Sequence, residues 1–173
     1  MRRALLILAL VLLLVPIAEA KTPLPSKPQG SGNEPTTGGG IMSGKPFKTV
    51  WAAASPDYDS SDVAIYLLSH KTTCNQLFFA AVPFVKVHIH TEGTPLLIGK
   101  PSLSNGRDFV QADFHPPGNT FYGIQPNTSI TFTRVDTTKN GVWHGRLTVK
   151  KQTSSGHVFA YSGTFAAQWC PNA

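Results

Sequence analysis

His88 and His90 are the residues of this chain whose type and spacing most suggest chemistry. On an extended strand, positions i and i+2 project from one face, so two imidazoles could approach one ion. Zinc or copper would need at least a third donor, which His144 or His115 could supply. Glu92 follows closely but falls past the expected strand end. The competing reading is a pair of solvated histidines beside Lys86. It is favoured, because nothing in the spacing fixes the third ligand.

A second cluster, Asp57-Tyr58-Asp59-Ser60-Ser61-Asp62, sets carboxylates at alternating positions in a turn, which suits a hard cation such as calcium. An EF-hand is excluded, since Asp62 stands where the loop needs glycine and Leu68 where it needs the bidentate glutamate. Asp and Ser also favour turns through local hydrogen bonds, so a solvated turn explains the cluster equally well. Hydrolytic machinery is not legible. There is no Gly-x-Ser-x-Gly elbow and no His-Glu-x-x-His, and no spacing pairs two of the carboxylates. A third constellation is cationic. Lys86, His88 and His90 on one strand, and His144, Arg146 and Lys150 on another, would form a basic face if the strands were neighbours. Such a face would attract an anionic envelope polymer, lipid head groups or an acidic secreted protein, although an ordinary solvated sheet face is the favoured alternative. Phe121 and Tyr122, after Pro116-Pro117-Gly118, are the obvious candidates for exposed aromatic rings.

These residues must be positioned by strands. From residue 46 onward the chain alternates short β-branched and aromatic runs with Gly, Pro, Asn and Asp. The pattern predicts strands at 47–55, 62–69, 84–91, 96–99, 109–114, 128–136, 142–151 and 157–169, with one helical turn within 72–79. Val85, Val87 and Ile89 alternate with Lys86, His88 and His90, so one face is core and the other wet. Val63 to Leu68 is apolar on both faces and reads as a central strand. Asn140-Gly141 and Ser155-Gly156 mark two hairpin turns, making a C-terminal meander. In the last strand Phe159, Tyr161, Phe165 and Trp169 share a face, while Cys170 falls on the other. A bulge at Gly163 or a disulfide at the strand's end would reconcile them. The expected fold is all-β: about eight short strands in an antiparallel β-sandwich, or alternatively a small β-barrel.

The remainder of the chain describes its destination. Arg2 and Arg3, an apolar run from Ala4 to Ile17 and the small-x-small Ala18-Glu19-Ala20 form a signal peptide over residues 1–20. No second apolar run follows, so the mature chain is expected to lack a transmembrane segment and to be released to the periplasm or the exterior. Removing Arg2, Arg3 and Glu19 leaves thirteen basic and eight acidic residues, a net charge of +5. That is mildly basic and shows no clustering of the kind nucleic-acid binding requires. Residues 21–45 are rich in proline and glycine and predict a disordered linker ahead of a single domain over 46–173. Cys74 and Cys170 lie in the exported part. An intramolecular pairing would be unique, with a free or intermolecular pair as the alternative.

The run Gly163-Thr164-Phe165-Ala166-Ala167-Gln168-Trp169-Cys170, with Thr128-Ser129-Ile130-Thr131-Phe132, Gly145-Arg146-Leu147 and Ile65-Tyr66-Leu67-Leu68-Ser69 before Cys74, resembles small exported bacterial β-domains that end in a Gly-x-Phe-x-Ala-x-x-Cys strand. Those domains mostly have no assigned function. The resemblance implies the fold and a Cys74–Cys170 link, and no catalytic residues. The sequence therefore points first to a secreted, non-enzymatic binding or interaction module. The alternatives are a metal-binding protein or metalloenzyme using His88 and His90, and a structural component of the envelope.

Overall fold

The computed structural model describes residues 24–57, 62–79, 83–90, 98–99, 101–102, 109–118, 121–124 and 127–173. The expected signal peptide lies outside them. Twelve strands pair into one sheet among the described residues: β1 (Gln29–Gly30), β2 (Gly39–Met42), β3 (Lys45–Lys48), β4 (Trp51–Pro56), β5 (Val63–Leu68), β6 (Phe84–His90), β7 (Pro101–Ser102), β8 (Phe109–His115), β9 (Tyr122–Ile124), β10 (Thr128–Val135), β11 (Val142–Ser154) and β12 (His157–Trp169). The main path runs β1-β10-β11-β12-β4-β5-β6-β8-β9, with β2 on β12, β3 on β2 and β7 on β10. β5 lies inside the sheet, fully buried, as its two apolar faces require.

The sheet is mixed rather than wholly antiparallel, because β4 runs parallel to β12 through Ala52–Ala54 and Ala167–Trp169. The strand count exceeds eight for several local reasons, among them the short strands β7 and β9, which no expected strand covers. The stretch expected as one strand over 47–55 divides at Thr49-Val50, whose amides turn to Gly38 and Leu68. The segment expected as a linker also supplies strands of its own. Of the stretch expected at 96–99, Ile98 makes an isolated bridge to Phe132, and residues 96–97 lie outside the described residues.

Within residues 24–45 the glycines other than Gly44 allow close approach rather than freedom. β2 adds to the edge of β12 at Ala160–Ser162. Thr37 and Thr36 continue along that edge, the Thr37 amide donating to the Thr164 carbonyl at 3.0 Å and the Ala166 amide to Thr36 Oγ1 at 2.9 Å. A Cβ on Gly38 would overlap the Tyr161 hydroxyl, and one on Gly40 would overlap the Ala160 carbonyl. Composition alone reads such a run as entropic cost. Here the absent side chains are what let a backbone lie against Tyr161.

One face of the sheet encloses the main core. Trp143 stacks on Trp169 at 5.3 Å and meets Phe132 edge-on at 5.5 Å. Phe114 of β8 packs on Phe159 of β12 at 5.1 Å, although β4, β5 and β6 lie between those strands. The sheet therefore curls over one interior. Full burial of each large apolar side chain there contributes about 1.5–3 kcal/mol. The turn residues match their expected roles, with Asn140 at φ 66° and Gly156 at φ 77°.

The opposite face of β4 and β5 has a smaller cluster of its own. A 3₁₀ helix over Cys74–Phe79 lays Leu77 on Ala53, Ala64, Tyr66 and Leu68. Cys74 and Cys170 form a disulfide with Cα atoms 5.3 Å apart. Trp169 belongs to the main core and Cys170 to this cluster, so the parity change at the end of β12 is a change of side rather than a bulge at Gly163.

Candidate functional site

The outer face of β6 and β8 carries a row of charged residues. Register sets Lys86 opposite Asp113, His88 opposite Gln111 and Tyr66 opposite Lys86. Period-two alternation turns all five away from the core. They are not simply wet. Asp57, just past β4, reaches over the row and accepts from Lys86 Nζ at 3.0 Å and from His88 Nδ1 at 2.5 Å. His88 Nε2 donates to Asp113 Oδ2 at 2.8 Å, and Gln111 Nε2 to Asp113 Oδ1 at 2.6 Å. His90 Nδ1 donates to Asp62 Oδ1 at 2.8 Å.

His88 is thus clamped between two carboxylates with both ring nitrogens engaged. Burial lowers its pKa, but the hydrogen bonds to Asp113 and Asp57 and the Asp113 charge outweigh this and raise it to about 9. Burial raises Asp57, and the bonds from His88 and Lys86 overcome it, holding the carboxyl at about 2. Asp113 is lowered for the same reason: burial opposes the shift, and His88 and Gln111 prevail. At neutral pH the row is an imidazolium and an ammonium among ionised aspartates. Lys86 also lies 5.5 Å from the centre of the Tyr66 ring.

The candidate metal ligands fall apart in space. His88 could bind an ion only by releasing an aspartate. His144 is on β11, separated from β6 by β12, β4 and β5, and its Nδ1 donates to the Glu34 carbonyl at 2.9 Å. His115 is on β8, its ring between Phe84 at 4.2 Å and Phe121 at 5.7 Å, and burial there lowers its pKa. No group of three or more His, Cys, Asp or Glu among the described residues is arranged to hold a metal ion. In the calcium candidate, Asp57 and Asp62 face the β6 histidines, and residues 58–61 lie outside the described residues, as do Glu92 and Asp108.

The basic face does not form, because its two strands are not neighbours. Lys86 is largely covered and paired, while Arg146 and Lys150 are exposed on β11, with three strands between it and β6.

A different place is open. A cleft of about 380 Å³ separates the β2–β3 hairpin from the end of the sheet at β9. Met42, Ser43, Lys45, Pro46 and Phe47 make one wall. Pro83, Pro116, Pro117 and Tyr122 make the other, with His157 from the β11–β12 hairpin beside them. Met42, Phe47 and Pro116 are buried, whereas Lys45, Pro117 and His157 are exposed and form the rim. Tyr122 is held against Phe159 at 4.8 Å and His157 at 5.3 Å. No carboxylate lines the cleft among the described residues. Tyr122 was legible as a candidate aromatic. The proline and methionine walls were not, because they come from segments far apart in sequence. Phe121 is exposed, and its ring stacks on that of His115 at 5.7 Å.

Fold and cleft together define an all-β, disulfide-linked domain whose curled sheet leaves an apolar opening between β3 and β9. Comparison with protein-family models, with curated proteins and with solved structures finds no match.

Proposed function

We propose that this chain is a secreted, non-enzymatic binding module that holds a small apolar ligand in the cleft between β3 and β9. The observation that carries this reading is the cleft itself. It has the size and the largely apolar, aromatic lining of small-molecule sites, with a few polar groups at its edge. The curled sheet is read as a small barrel left unsealed at that seam, with the ligand at its mouth. The charged row supports the reading indirectly. His88, the best-placed acid or base, is committed to Asp57 and Asp113 and has no nitrogen to offer a substrate. Export is supported by the leader-like N-terminus and the disulfide. No helix among the described residues is long and apolar enough to cross a membrane.

The test uses the neutral dye N-phenyl-1-naphthylamine, whose fluorescence rises in apolar surroundings. Purified, oxidised protein is expected to bind it saturably. Pro117→Trp, at an exposed rim position, fills the opening and is expected to abolish binding without altering the unfolding midpoint. Dye binding that does not saturate, or that Pro117→Trp leaves intact, overturns the reading.

A further inference from the structure

We infer that the ligand of the cleft is an amphipathic anion: an apolar body between the hairpin and the proline wall, with a single anionic head held by Lys45 and His157. This inference rests on the cleft being a binding site and names the class of molecule it takes.

The half-buried cations of the sheet are matched by acids. Lys86 and His88 are matched by Asp57 and Asp113, His90 by Asp62, and Arg134 by Asp136 at 3.0 Å. In the cleft the pattern reverses. Lys45 and His157 stand at the rim, Ser43 adds a hydroxyl, and no acidic side chain lines the site among the described residues. A cationic ligand would meet the Lys45 ammonium and no counter-charge. A fully neutral one would leave the rim unused. An anion bare of apolar surface, such as inorganic phosphate, would waste the walls formed by Met42, Phe47 and Tyr122.

Geometry also favours a fixed head-group site. The two basic residues open the second strands of different hairpins, Lys45 in β2–β3 and His157 in β11–β12, so they come to the opening from separate parts of the chain. The Gly44 amide donates to the Val158 carbonyl at 3.0 Å, which ties one hairpin to the other. The Tyr122 ring packs on His157 at 5.3 Å, which keeps the exposed imidazole beside the cleft. Beside apolar walls the effective dielectric falls, and an ion pair there is stronger than on an open surface.

Calorimetric titration at neutral pH with three probes of matched chain length, all below micelle-forming concentrations, tests the inference: decanoate, decanol and decyltrimethylammonium. Decanoate is expected to bind at least tenfold more tightly than decanol, and decyltrimethylammonium not measurably. Lys45→Gln is expected to bring decanoate affinity down to that of decanol, and His157→Gln to cost about threefold. Lys139→Gln, in the turn that precedes β11, serves as a charge-matched control and should leave decanoate affinity unchanged. If decanol binds as well as decanoate, or if Lys139→Gln acts like Lys45→Gln, the anionic head falls while the apolar site stands. If none of the three probes binds, the cleft reading falls with it.

Discussion

Over β4 and β5 the outer face of the sheet is sealed by apolar surface, with Leu77 of the 3₁₀ helix on Ala53, Ala64 and Leu68 and the whole lid stapled by Cys74–Cys170. Over β6 and β8 the same face is sealed by charge, with Asp57 drawn onto Lys86 and His88, and His88 onto Asp113. The strands are neighbours and their pleats are continuous, yet the two coverings answer to different variables. Apolar contact and a covalent link are indifferent to pH. An imidazolium between carboxylates exists only while all three remain charged. The difference shows that half-buried ionisable residues on a sheet can be cladding, and that a dense cluster of them need not be the working site.

The largest effect is expected from the stapled half. Cys74→Ala/Cys170→Ala removes a cross-link between residues 96 apart and is expected to lower unfolding stability by about 4–5 kcal/mol on the chain-entropy model. Urea midpoints at pH 6 and pH 8 should fall by the same amount, since no titrating group lies in the link. A loss that differs between the two pH values would mean that the lid also supports the charged row, and the two halves could not be treated as separate.

The charged half should instead carry a pH signature. His88 is raised from 6.5 to about 9, so its stabilisation is fully present below pH 6.5 and is lost as pH rises through 9. The shift corresponds to about 3 kcal/mol. Asp57 is lowered from 3.8 to about 2, so its share is present above pH 3.8 and is lost as pH falls through 2. Stability measured by urea denaturation should therefore peak between about pH 4 and 6.5 and decline on the alkaline side. His88→Ala is expected to cost about 3 kcal/mol at pH 6, because Asp113 is left without its cation while Lys86 still serves Asp57, and to flatten the alkaline decline. An unchanged alkaline limb in His88→Ala would show that the row does not set it.

The sequence anticipated the first covering better than the second. An all-β chain, a central β5, the two hairpin turns and the Cys74–Cys170 link follow from alternation, turn chemistry and cysteine count, all of which are local or leave few choices. The polar face of Lys86, His88 and His90 was equally legible, but not its burial. That depends on Asp57, from a different strand end, folding across β5 to reach β6. Residues 24–45 are harder to read, because glycine serves both mobility and close packing, and only the position of Tyr161 shows which applies at Gly38. The cleft was least accessible, since its walls come from five separated segments and only Tyr122 carries a recognisable signal.

The smallest effect is expected at the far end of the row, and it decides whether the row is one network or several pairs. Asp62 and His90 are more exposed than Asp57, with side chains 19% accessible against 8%. Asp62 is also tied to Asp57 by backbone, the Asp57 amide donating to the Asp62 carbonyl at 2.9 Å. Asp62→Asn keeps that bond and retains a side-chain acceptor for His90, so only the charge is removed. Water reaches a pair of this exposure, and the expected loss is about 0.5–1 kcal/mol, smaller at high salt. A double-mutant cycle with His88→Ala measures the coupling directly. Independent pairs predict additivity within about 0.5 kcal/mol. Should Asp62→Asn alone cost as much as His88→Ala, or the two fail to add, the charges from Asp62 to Asp113 act as one cooperative unit, and the ionic half of the face is as tightly closed as the stapled one.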